Sequence, residues 1–231
     1  MGIRSQNNPI ASFRDVFSVT GKDAVGEKKS PKTGMTATGG VISDYTVGSK
    51  IYRAHVFTGT GEFSISDLGD FDAEIEYIIV AGGGAGGSDQ NSNGSAGGGG
   101  AGGYRSSVVG ESTGGGASLE SKYPVAWAVP QGAMQIRVGA GGAALPTSGG
   151  DGNASWISGP AGTLTSTGGG GGGWANSPTT DRNGRPGGSG GGAGQSPSNS
   201  GNAVAGQGYP GGQNQSGGSV RAGGGSGAAA A

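Results

Sequence analysis

The chain has 231 residues, 14 basic and 15 acidic side chains and no cysteine. The missing cysteine excludes disulfides, thiolate metal sites and cysteine nucleophiles, and a net charge of −1 offers nucleic acid or an anionic membrane no electrostatic attraction. Its 59 glycines amount to about one residue in four against an ordinary ~7%, and with hydrophobic residues at only 31% a large aliphatic core is not expected.

Residues 1–44 open without the apolar stretch of a secretory signal, and no apolar run approaches the ~18 residues of a membrane span. Ile10, Phe13, Val16 and Phe17 are spaced for one or two amphipathic turns, opened by Asn8-Pro9. Four of the six lysines fall in Lys22 to Lys32, and the polar stretch around Ser30-Pro31 reads as a linker. The region is either a loose terminus or an arm that orders on a partner.

Residues 45–80 read as strands. Ile51, Ala54, Val56 and Phe57 form one apolar cluster, and Phe63 and Ile65 alternate with polar neighbours. The intervening Thr58-Gly59-Thr60-Gly61 is a turn signal, which predicts a hairpin between the two runs. Ile75-Glu76-Tyr77-Ile78-Ile79-Val80-Ala81 predicts the most buried strand. Met134-Gln135-Ile136-Arg137-Val138 alternates cleanly and is expected beside it. Val125-Ala126-Trp127-Ala128-Val129 is a further strand candidate, ended by Pro130.

After position 80, glycine tracts separate the apolar runs, at 82–87, 97–103, 114–116, 139–142, 168–173, 187–194 and 223–227. Their spacing is too irregular for a short-period solenoid, and they lack the strict Gly-X-Y period of collagen. They are either flexible linkers or extended polyglycine-II helices. In the second case, backbones without Cβ atoms approach closely enough to bond to one another, which satisfies every peptide group without a side-chain core. Tyr104, Trp156, Trp174 and Tyr209 punctuate the tracts as anchors, which favours the ordered form.

Chemical motifs are weak. Gly82-Gly83-Gly84-Ala85-Gly86-Gly87 matches G-x-G-x-x-G after a strand. The residues that follow, Ser88-Asp89-Gln90-Asn91-Ser92-Asn93, are poor helix formers, so the pyrophosphate has no helix N-terminus and no cofactor is expected. His55 is the only histidine and sits in a strand-like run, where a structural role outweighs a catalytic one. Glu74 and Glu76 share one strand face, and five acidic residues lie between Asp67 and Glu76. A solvated sheet face explains them better than acid–base chemistry or calcium binding, so no metal is expected. The island Asp181-Arg182-Asn183-Gly184-Arg185-Pro186 is either a solvated turn or a contact loop on a rigid frame. With no catalytic constellation, the chain does not read as an enzyme.

The run Phe57-Thr58-Gly59-Thr60-Gly61-Glu62-Phe63, the strand 75–81 with its tract 82–87, residues 97–105, Ile136-Arg137-Val138-Gly139-Ala140-Gly141-Gly142 and Gly206-Gln207-Gly208-Tyr209-Pro210-Gly211-Gly212 together resemble the glycine-rich domain of bacteriophage tail-fibre and virion proteins, over roughly 45–231. The arm, with Asn7-Asn8-Pro9 and Phe13-Arg14-Asp15-Val16-Phe17, resembles the attachment ends of structural proteins of marine T4-like phages. The resemblance implies a polyglycine-II sandwich that displays receptor-binding loops, although many fibre proteins are far longer.

The expected architecture is therefore mostly β with little α-helix: a small β-sandwich-like domain with an ordered polyglycine-II bundle. Residues 1–44 would be a virion-docking arm, 45–139 a β-rich domain with glycine tracts, and 140–231 a glycine-rich region with exposed loops. The expected role is a virion structural protein, assembled in the host cytoplasm, that binds the host surface as a tail-fibre or fibre-tip component. The alternative is a head or tail decoration protein without receptor binding. Glycine offers a receptor only backbone, so the contact candidates are Trp174, Asn176, Arg182, Asn183, Arg185 and Tyr209, and the docking candidates are Ile10, Phe13, Val16 and Phe17. The partners implied are other virion proteins, a glycan or outer-membrane protein on the host, and further copies of the chain, as in a trimer. No nucleic acid and no membrane insertion are expected.

Overall fold

A computed structural model describes residues 32–89, 94–126, 132–175, 179–195 and 197–214. The docking candidates Ile10, Phe13, Val16 and Phe17, and the contact candidate Asn176, lie outside the described residues. The described chain forms two compact units, 32–35 with 69–71 and 36–68 with 72–214. In the small unit the Thr33 N–H and hydroxyl both donate to one Asp70 carboxylate oxygen at 2.9 Å, and the Lys32 ammonium lies 5.2 Å from the Phe71 ring centroid.

The large unit is mostly β, as the alternating runs dictate. Its strands are β1 (Thr36–Thr38), β2 (Val41–Val47), β3 (Lys50–Val56), β4 (Gly61–Asp67), β5 (Glu74–Ile75), β6 (Ile78–Val80), β7 (Tyr104–Ser106), β8 (Tyr123–Pro124), β9 (Ala133–Arg137), β10 (Ser155–Gly159) and β11 (Gly162–Ser166). Among the described residues the only helical element is a single 3₁₀ turn, Thr179–Arg182. One antiparallel sheet runs β1-β4-β9-β10-β11, and β2-β3, β5-β8 and β6-β7 form two-stranded ribbons. Phe63 of β4 lies opposite Met134 of β9, and with Ala37, Ile65 and Ile136 they build a small buried face.

Four sequence expectations are corrected. The hairpin is not 51–57 with 63–65: β3 pairs β2 through a two-residue Gly48-Ser49 turn, and β4 pairs β1 and β9. A strand has two edges, and each here is taken by a partner that the turn signal at 58–61 does not specify. The run 75–81 breaks at Glu76-Tyr77 into β5 and β6, and Ile78 and Val80 face outward, so it is half-buried rather than the most buried strand. β9 pairs β4 and β10 rather than β6, whose partner is β7. Of the candidate 125–129, Val125 and Ala126 lie just beyond β8 and outside any strand, and 127–129 lie outside the described residues.

Among the described residues, the glycine tracts within 81–88, 97–103, 139–152, 167–175 and 184–194 form an ordered bundle with a period of three. In the segment 81–88, the N–H groups of Ala81, Gly84 and Gly87 bond to the carbonyls of Gly103, Gly100 and Gly97 at 3.1, 2.8 and 2.9 Å. Those of Gly82, Ala85 and Ser88 bond to Asn153, Gly150 and Thr147 at 3.0, 2.9 and 2.8 Å. Three residues per turn is the polyglycine-II repeat; each step of three returns the same bonding direction, and intermediate residues point to other neighbours.

The segment 167–175 lies at the centre. Its N–H groups bond to segments 82–88 and 189–192, and its carbonyls accept from segments 97–103, 149–152 and 185–188. Gly168 to Gly173 are buried without a side chain among them. Glycine is obligatory there for a steric reason. A Cβ on Gly169, Gly170, Gly171, Gly172 or Gly173 would fall on a neighbouring carbonyl oxygen, far inside the 3.0 Å that such atoms keep. Tracts from both sides of position 140, together with the β10–β11 hairpin, share this one compact unit.

Candidate functional site

Register places the ends of the bundle. One end continues into the strands. At the other, the chain turns back after 88, 143, 175 and 194, and this end carries the charged island. The Trp174 N–H donates to the Asp181 carbonyl at 2.7 Å and closes the loop 174–181 on itself. The 3₁₀ turn Thr179–Arg182 follows, and the Arg182 carbonyl accepts the Gly194 N–H at 2.7 Å. The Asn183 side-chain oxygen accepts the Asn199 N–H at 2.8 Å, locking the next turn beside it. Gly194 is a hub: its carbonyl accepts the Ser198 hydroxyl at 3.0 Å and the Asn214 amide at 2.6 Å.

Trp174 is half-buried, and its indole Nε1 is buried without a hydrogen-bond partner. Arg182 and Asn183 are partly exposed. Arg185 lies about one turn further in, roughly 9 Å at ~3.1 Å per residue. Its guanidinium bonds to Asp151 at 2.8 Å, whose other carboxylate oxygen accepts the Gly171 N–H at 2.9 Å. Tyr209 does not join this set. Its carbonyl pairs with Gly190, three residues inward of the Ala193–Gly212 pair, and its hydroxyl lies beside Gly116. The structure therefore brings together Trp174, Arg182 and Asn183, attaches Arg185 to the flank, and sets Tyr209 elsewhere.

Residues 57–231 match the model of a family described as a glycine-rich domain. The chain belongs to this family. No curated protein and no solved structure matches it. The match spans β4 to β11 and the whole described bundle of the glycine-rich domain, and it begins one residue after β3 ends.

A second polar cluster in the glycine-rich domain lies where the bundle meets β6, β7 and β11. Glu120 accepts the Tyr77 hydroxyl at 2.7 Å, the Arg105 guanidinium at 2.5 to 3.0 Å and the Thr113 hydroxyl at 3.2 Å. Burial raises the Glu120 carboxyl, but the hydrogen bonds from Arg105 and Tyr77 outweigh it and hold the group below the ordinary carboxylate range. The Tyr77 hydroxyl is pushed up, first by burial and then by Glu120. An open groove of about 560 Å³ borders the cluster, lined by Leu119, Lys122, Tyr123 and Leu164 among others. The donors around Glu120 are directed at the carboxylate and at the carbonyls of Thr165, Tyr104 and Gly206, so the cluster staples backbone rather than presenting a reactive group. The sequence reading missed Glu120 and Arg105. The available signal was a sparse set of charges, Arg105, Glu111, Glu120 and Lys122, between glycine tracts that carry almost none.

The remaining candidate groups have structural partners. The His55 Nδ1 lies 2.7 Å from the Gly39 carbonyl, and its ring meets Phe63 edge-on at 4.9 Å. Glu76 pairs with the Lys122 ammonium at 2.8 Å. Residues 82–87 are extended and bonded on both sides, so no helix N-terminus faces the G-x-G-x-x-G run. Among the described residues no group of three or more His, Asp or Glu could hold a metal ion.

Proposed function

We propose that this protein is a virion structural protein of a bacteriophage, a tail-fibre or fibre-tip component that binds the host surface through the turning end of its glycine bundle. The observation that carries the reading is the construction of that end. Trp174, Arg182 and Asn183 are held where backbone bonds join 174 to 181 and 182 to 194 and the Asn183 side-chain oxygen accepts the Asn199 N–H, beside glycine segments packed too closely to admit a Cβ. A binding group on such a frame loses little entropy on contact. Indole, guanidinium and amide groups suit sugar rings, hydroxyls and anions. In this reading the role is non-enzymatic, no cofactor is required, and the receptor is a glycan or outer-membrane protein.

The test is adsorption of particles carrying Trp174→Ala or Arg182→Ala in a chain that still folds and assembles. Adsorption is expected to fall by tenfold or more for at least one variant, since truncation at such positions costs about 2 kcal/mol. Undiminished adsorption by both would favour the second reading, a head or tail decoration protein. The half-burial of Trp174 is the observation on that side, because an indole packed as an anchor has less face to offer a ligand.

Residues 1–44 are proposed to dock the chain onto other virion proteins through their first twenty residues, since 36–38 and 41–44 are built into β1 and β2. Ile10, Phe13, Val16 and Phe17 are too few to form a core alone. Deleting residues 1–20 is expected to leave the melting of the bundle unchanged and to abolish incorporation into the particle. Quantifying the chain in purified virions measures this, and normal incorporation overturns the docking assignment.

A further inference from the structure

Among the described residues the ribbon β2-β3 has no sheet partner on either edge, yet it pairs without interruption from Val41↔Val56 to Val47↔Lys50. A two-stranded ribbon in water is marginally stable by itself. Its register sorts its side chains into two unlike faces. On one lie Ile42, His55, the ion pair Asp44–Arg53 at 2.8 Å, Thr46 and Ile51. This face turns inward at its base, where His55 meets Gly39 and Phe63. The other face carries Val41, Val56, Ser43, Ala54, Tyr45, Tyr52, Val47 and Lys50, with the rings of Tyr45 and Tyr52 stacked at 5.4 Å and 15°.

That second face is apolar and open to solvent: Val41 is 68% exposed, Val47 58%, Val56 49% and Tyr45 47%. Apart from Lys50 at the tip it bears no charge. With the half-buried Tyr52 and Ala54, these residues offer about 500 Å² of side-chain surface per copy, half of the ~1,000 Å² total that a specific interface buries. The ribbon also precedes the family match at 57–231, so it is an addition to the glycine-rich domain rather than part of the bundle's own packing.

We infer that this face is a self-association surface, on which the β2-β3 ribbon of a second copy of the chain packs about a two-fold axis. The occupant follows from the face itself. A face of valines around a central tyrosine pair meets its own copy with no like-charge penalty except at the solvated Lys50 tip. Two such faces reach the ~1,000 Å² floor of a biological interface, which fits a micromolar dimer, and the dimer converts two marginal ribbons into a small four-stranded sandwich. The ring stack sits at the centre, where aromatic side chains contribute most to association.

The experiment is sedimentation of the full chain at micromolar concentration, with thermal melting as a fold control. The parent is expected to sediment as a dimer. Tyr45→Glu with Val41→Glu should raise its dissociation constant by about a hundredfold or more, since each carboxylate would be buried with no cation opposite it. Ile51→Glu, on the opposite face, should leave the dimer intact. If the glutamate variant melts abnormally, Val41→Ser with Val56→Ser takes its place with the same expectation. A monomeric parent, or an assembly that survives the substitutions on the tyrosine face, overturns the inference. So does protection of Tyr45 that appears only when a monomeric chain enters a particle, which would assign the face to another virion protein.

Discussion

Gly170→Val and Gly190→Val are expected to unfold the bundle or to lower its stability by roughly 4 kcal/mol or more, close to the whole stability of many domains. The side chain at 170 would point at the Arg185 carbonyl oxygen and the Gly191 amide, and that at 190 at the Gly201 carbonyl oxygen and the Gly211 amide. Neither neighbour is the end of a flexible side chain; each is backbone held by its own bonds. Separating the segments would break several inter-segment hydrogen bonds at about 1 kcal/mol each, and overpacking adds about 1–3 kcal/mol. The bonds at risk include Gly100 to Gly170, Gly170 to Ser189 and Gly190 to Tyr209, at 2.8, 3.0 and 3.0 Å. Gly59→Ala is the control, because nothing lies within 4 Å of a Cβ there and its backbone is not left-handed. Thermal denaturation measures all three; a Gly170→Val protein that melts with the parent would mean that the tracts are linkers.

Glu120→Ala is expected to cost about 2–3 kcal/mol, below the ~3–5 of a fully buried ion pair because both partners are only part-buried. It would leave the part-buried Arg105 guanidinium without its carboxylate and the Tyr77 hydroxyl without its acceptor. Arg105 also donates to the Thr165 carbonyl at 3.1 Å, so the loss would spread from β7 to β11. The same cluster predicts a pH effect. The native Glu120 carboxyl is depressed below its ordinary value of 4.5, so the stability it contributes is complete above that value and is lost as pH falls toward the native one. Melting temperature should therefore fall more steeply below about pH 4.5 in the parent than in Glu120→Gln, where this contribution is absent. Parallel curves for the two proteins would show that Glu120 does not carry this dependence.

Part of the site was legible in the residues. Trp174, Arg182 and Asn183 stand out because a glycine chain has few side chains to display, and the structure does place them on one loop end. Tyr209 was grouped with them by residue type alone, and its segment returns at a different level of the bundle. Asp151, Ser198, Asn199 and Asn214 carried no signal, because their role is to bond backbone that is distant in sequence. The β2-β3 ribbon was half visible: Ile51, Ala54 and Val56 read as a strand, but its partner was sought downstream rather than across Gly48-Ser49.

The sequence by itself narrowed the tracts to two states, solvated linkers or segments that satisfy their peptide groups against one another. With 59 glycines and few apolar residues, no side-chain core could shield them. It determined, too, the alternation of β4 and β9, whose buried and exposed residues follow the pleat. Only the tertiary structure decided which segment bonds to which. Gly169 and Gly170 are chemically identical, yet one donates to Gly82 and the other to Ser189. Glycine has no side chain with which to encode a partner, so direction and level are set by what lies at the segment ends: the strands 78–80, 104–106, 133–137 and 155–166, and the turns beyond them.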